Sequence, residues 1–81
     1  MKYMTKGTCA TAINVELNED NTIKEVSFVG GCNGNTQGVA ALVKGMDAKE
    51  AIARMRGIKC GFKSTSCPDQ LSYALEQALN Q

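Results

Sequence analysis

The chain has 81 residues, of which 43% are hydrophobic, with two Phe, two Tyr and no Trp. Residues 1–81 make one small domain, which buries roughly 60–65% of the surface its unfolded chain exposes and gains from a staple such as a metal. Nine basic and eight acidic residues are spread evenly to a net charge of +1, so there is no basic stripe for nucleic acid and no electrostatic anchor for a membrane.

The opening residues, Met1 to Gly7, are too polar for the apolar stretch of a signal peptide. No run approaches the ~20 apolar residues that span a bilayer. The expected location is the cytoplasm, where thiols are kept reduced. Tyr3 to Thr5 either extends the first strand or adds a third. From Cys9 to Leu17 the residues alternate, with Cys9, Thr11, Ile13, Val15 and Leu17 on the more apolar face; a period of two is that of a half-buried strand. "NEDN" (18–21) is a turn cluster and "TIKEVSFV" (22–29) a second strand. One-to-one antiparallel pairing from Leu17 with about Thr22 sets Cys9 opposite about Gly30, with Cys32 two residues further on.

Three helical patterns follow. Val39, Leu42, Val43 and Met46 recur at helical spacing, then Ala48, Ala51, Ile52 and Met55, then Leu71, Ala74, Leu75, Ala78 and Leu79. Asp47 with Glu50 has the spacing of a capping box, and Gly45 and Gly57 are suited to helix ends. Pro68 suits the first position of the last helix, which makes Cys67 its N-cap, with Ser66 nearly as good. Strands first and helices after predict an α+β fold of two layers: an antiparallel sheet of two or three strands with about three helices on one face.

"GGCNGNTQG" (30–38) leads into the first helix. It has neither the Gly-Lys-Ser/Thr of a phosphate-binding loop nor a dinucleotide fingerprint, and it reads as a flexible cradle around Cys32. Cys32 and Cys67 each stand just ahead of a helix, whose dipole stabilises thiolate, the form that binds metals or attacks disulfides. Cys60 and Cys67 bracket a six-residue loop. Four converging thiolates suit tetrahedral zinc or an iron–sulfur cluster. The chain has no histidine, and the gaps of 22, 27 and 6 residues are not those of paired zinc knuckles. On spacing alone, a metal site, a redox pair and inert packing all remain open. Asp69 complements the dipole of the last helix, and Met46 and Met55 belong to the core.

"TSCPDQL" (65–71), with "GGCNGN" (30–35) and "GIKCG" (57–61), resembles the small four-cysteine proteins of the TSCPD-domain family, over most of the chain and all four cysteines. The domain name is shared with regions of ribonucleotide reductases. At 81 residues the chain lacks the length of a nucleotide-binding barrel, so an enzyme of that kind is not expected, and an accessory or regulatory module related to it is an alternative that rests on the shared name. The order of cysteine, hairpin, Gly-rich cysteine loop, "LVKGM" helix and cysteine before a final amphipathic helix is similar to NifU/IscU-type iron–sulfur scaffold proteins. That resemblance implies that Cys9, Cys32 and Cys67 hold zinc or a nascent cluster, with Cys60 as a fourth ligand that closes the site. The chain departs from the scaffold pattern at Thr11, where an aspartate is usual, and at Ser66, where a histidine often stands. The expectation is a non-enzymatic cytosolic module that holds zinc or an iron–sulfur cluster through Cys9, Cys32, Cys60 and Cys67. A thiol–disulfide redox protein is the main alternative. A homodimer is left open, and no substrate is indicated.

Overall fold

The computed structural model describes residues 1–8, 10–31 and 33–81, with all their side chains but that of Asn33. Three antiparallel strands run as a meander in the order β1 (Lys2–Met4), β2 (Ala10–Leu17) and β3 (Ile23–Gly30). The segment around Tyr3 is therefore a third strand, not an extension of β2. Tyr3 stands opposite Ile13 and Val26 opposite Val15. Ile13 and Val15 are buried while Asn14 and Glu16, which alternate with them, are exposed, as a sheet with one covered face requires.

The hairpin pairs one residue away from the expected register from the turn onward, and two irregularities within it, one on each strand, cancel from end to end. Leu17 stands opposite Ile23, and Gly30 faces Ala10. The shift between Ala10 and Ala12 also resets the alternation, in the manner of a β-bulge. Thr11, expected on the apolar face, is instead exposed and donates its hydroxyl to the Val29 carbonyl at 3.1 Å. At the hairpin turn the Thr22 hydroxyl and amide both donate to the Asp20 carboxylate, at 2.6 and 3.1 Å. These bonds hold the Asp20 carboxyl below the ordinary carboxylate range. The turn therefore favours folding above that range, and its contribution fades as acid protonates Asp20.

Helices α1 (Asn33–Val43), α2 (Ala48–Met55) and α3 (Cys67–Leu79) follow. Much of the expected glycine loop is helical, since α1 runs through Gly34 and Gly38. Each interior glycine costs about 1 kcal/mol relative to alanine, and packing of α1 on β3 overrides that preference. Asp47 caps α2 by accepting the Glu50 amide at 3.2 Å, but the Glu50 carboxylate pairs with Arg54 at 2.9 Å instead of closing the box. Gly45 and Gly57 mark the helix ends, with φ of 88° and 90°. A Cβ on Gly45 would meet nothing within 4 Å, so Gly45→Ala is expected to cost only the left-handed backbone strain, about 1 kcal/mol by urea denaturation.

The core joins Ile13, Val15, Ile23 and Val26 of the sheet to Val43, Met55, Leu71 and Leu75 of the helices. Met46 packs against it, so both methionines serve the core as expected. Leu42 does not. It is 80% exposed and lines, with Val39, Met46 and Ile58, an open groove of about 510 Å3.

Candidate metal centre

The five residues Thr65 to Asp69 start α3, and three of them form a lock that the other two exploit. Ser66 is the N-cap: its backbone is extended and its hydroxyl accepts the Asp69 amide at 3.1 Å. The cap expected at Cys67 thus belongs to the neighbouring serine, because a hydroxyl oxygen is a far better acceptor for a helix-end N–H than a thiol. Cys67 becomes the first helical residue, with Pro68 just behind it. The Ser66 hydroxyl also donates to the Ile58 carbonyl at 2.7 Å, which draws the incoming chain onto the helix start. Ser66→Ala is expected to cost about 1 kcal/mol, measured by thermal denaturation.

Asp69 does more than complement the helix dipole. Its buried carboxylate accepts the Gly57 amide at 2.7 Å and the Thr65 hydroxyl at 2.5 Å. Gln70 donates to Thr65 at 3.0 Å and accepts the Lys6 amide at 3.1 Å. Gly7 comes so close that a Cβ there would stand 3.0 Å from the Thr65 methyl. At the far end of the loop, Arg56 donates to Ser72 at 3.0 Å and stacks on Tyr73, 4.0 Å from the ring centre. The β1–β2 connection and the α2–α3 connection are thereby both fastened to the first turn of α3.

Cys60 sits in the second of these connections. Its amide donates to the Thr65 carbonyl at 3.2 Å and its carbonyl accepts the Lys63 amide at 3.0 Å. Gly61 takes the left-handed conformation that this tight turn requires, with φ of 57°. The fully exposed Phe62 marks the tip. Both Cys60 and Cys67 are free thiols, the first exposed and the second half-buried.

These two cysteines open onto one cavity of about 300 Å3, together with Lys59, Lys63, Ser66 and Pro68. No carboxylate is among its described lining residues. Thr8, Asn35 and Ile58 complete the wall. Thr8 precedes Cys9 in the chain, and Asn35 follows Cys32 by three residues. A Cβ on Gly31 would lie 3.1 Å from the Ala10 amide nitrogen, so the residue before Cys32 and the residue after Cys9 are in close approach. A larger groove of about 560 Å3 runs between β3 and α1, with no sulfur among its described lining residues.

Of the four expected ligands, then, Cys60 and Cys67 share one cavity, while Cys9 and Cys32 lie outside the described residues. Among the described residues no three Cys, His, Asp or Glu side chains gather closely enough to hold a metal ion. Sequence reasoning missed Thr65, Gln70 and Gly7 as parts of this end of the molecule. The Ser66-x-x-Asp69 spacing was the available signal, being that of a capping motif ahead of an apolar run.

The TSCPD-domain family model matches residues 1–79. The chain belongs to the TSCPD-domain family. No curated protein and no solved structure gives a significant match. Within this TSCPD domain Thr65, Ser66 and Asp69 are buried and hydrogen-bonded to one another and to the incoming chain, while Ser66, Cys67 and Pro68 line the cavity. Among the described residues no helix of the TSCPD domain is long and apolar enough to cross a membrane.

Proposed function

We propose that the chain is a small, non-enzymatic metal-binding module of the cytoplasm that holds zinc or an iron–sulfur cluster through Cys9, Cys32, Cys60 and Cys67. One observation carries this reading: Cys60 and Cys67 line a single cavity whose remaining wall includes Thr8 and Asn35, near neighbours in the chain of the other two cysteines. The donor chemistry agrees. Thiolates are soft ligands that select zinc or iron–sulfur clusters, and four of them satisfy a tetrahedral ion without water. Lys59 and Lys63 on the rim offset the negative charge that such a centre carries. A site closed by four thiolates tends to be structural, and it staples the two connections that meet at α3. An accessory role beside a ribonucleotide reductase rests on the shared domain name.

Titration of the reduced protein with cobalt(II) tests the assignment. Tetrahedral thiolate coordination is expected to give intense visible bands with sulfur-to-cobalt charge transfer, saturating at one equivalent. A pale spectrum of hydrated cobalt that never saturates would overturn it.

A further inference from the structure

The exposed loop between Cys60 and Cys67 has a second chemistry available to it, one that competes for the same sulfurs. The chain doubles back on itself here: Cys60 N–H meets the Thr65 carbonyl at 3.2 Å and the Ser66 hydroxyl meets the Ile58 carbonyl at 2.7 Å. Cys67 follows within two residues of the first bond and opens onto the same cavity as Cys60. Cys60 is exposed and Cys67 half-buried, so an oxidant in solvent reaches one sulfur more readily than the other. No carboxylate is among the described lining residues to repel an anionic or polar oxidant.

The geometry points to Cys60 and Cys67 as a peroxide-oxidised pair, in which Cys60 takes the oxidant, Cys67 resolves it, and the resulting disulfide withdraws two ligands from the proposed metal centre. The Cys60 thiolate attacks one oxygen of a hydroperoxide and breaks the O–O bond. The sulfur becomes a sulfenic acid, and the leaving oxygen takes a proton and departs as water or alcohol. The Cys67 thiolate then attacks the Cys60 sulfur and forms the S–S bond. The S–O bond breaks, and its hydroxide departs as water after taking a proton. The two sulfurs together supply the two electrons that reduce the peroxide. Sulfur that is shared in a disulfide no longer donates as thiolate, so metal binding and oxidation exclude each other. The formation of the disulfide stands independently of the metal reading, whereas release of a metal rests on it.

The test uses the full chain in two arms. Metal-free, reduced protein is treated with an equivalent of hydrogen peroxide, quenched with an alkylating reagent, and mapped by peptide mass. The expected product is lighter by two hydrogens and carries a Cys60–Cys67 link. Cys60→Ser and Cys67→Ser cannot form that link, and the partner cysteine left alone should be recovered mainly as sulfenic acid or free thiol. A dominant link through Cys9 or Cys32, or Cys60 driven to sulfinic acid while Cys67 stays reduced, overturns the proposal. In the second arm, zinc-loaded protein is oxidised beside a chromophoric chelator, and zinc should appear in step with the link. Protein that takes up no zinc, yet still forms the Cys60–Cys67 link, refutes the zinc form of the metal reading and upholds the pair. Zinc that stays bound while the link forms refutes the competition between them.

Discussion

Cys67→Ser is expected to weaken zinc binding by roughly a hundredfold or more, since changes in outer partners alone cost about 10–100-fold and this change removes a ligand. The position makes the experiment clean. Ser66, not Cys67, caps α3, and Asp69 holds the loop through Gly57 and Thr65 without any help from the thiol. Serine is close to cysteine in size and is tolerated at a first helical position, so the variant should fold. Its loss should therefore appear in competition with a chromophoric chelator and leave the metal-free denaturation midpoint nearly unmoved. Equal zinc affinity in the parent and in Cys67→Ser would remove this residue from the ligand set.

Asp69→Ala should be the more damaging change to the metal-free fold, at about 3 kcal/mol, because hydrogen bonds to a charged group contribute roughly 1.5–3 kcal/mol each and the buried Thr65 hydroxyl loses its acceptor. Asp69 is only 6% exposed, and its carboxylate receives the Gly57 amide and the Thr65 hydroxyl. Thr65 in turn accepts from Gln70, which accepts the Lys6 amide. The substitution thus loosens two connections at once. In a domain of this size a 3 kcal/mol loss corresponds to a fall of roughly 12–24 °C in Tm. Asp69→Asn retains the shape and one acceptor, and about half of that fall is expected. Calorimetry on both variants checks the order, and an Asp69→Ala protein as stable as the parent would show that the lock carries no weight.

Residue patterning carried the α+β architecture well, for reasons visible in particular segments. Alternation in β2, and the apolar repeat from Leu71 to Leu79, report directly which faces are covered. The register differs by one residue because the turn closes Leu17 on Ile23, and the two irregularities that cancel between there and Ala10 leave no mark in the hydrophobic pattern. The start of α1 was missed because Gly34 and Gly38 read as loop, and only the packing of α1 on β3 makes them helical. Leu42 shows the converse, an apolar residue at the right spacing that faces solvent. At the candidate site, the sequence offered the cysteines but not their scaffold. Asp69 looked like a dipole partner, and its grip on Gly57, twelve residues earlier, is a tertiary contact that no local motif encodes. The same holds for Gln70, which reaches back 64 positions to Lys6.

Elemental analysis with an absorption spectrum, on protein prepared without oxygen, tests the four-cysteine metal centre most directly. The account predicts about one metal ion or one cluster per chain. The preparation should be colourless if the metal is zinc, and brown with charge-transfer bands if it is iron–sulfur. Protein that carries no metal, with Cys-to-Ser variants at positions 9, 32, 60 and 67 as stable as the parent, would contradict it.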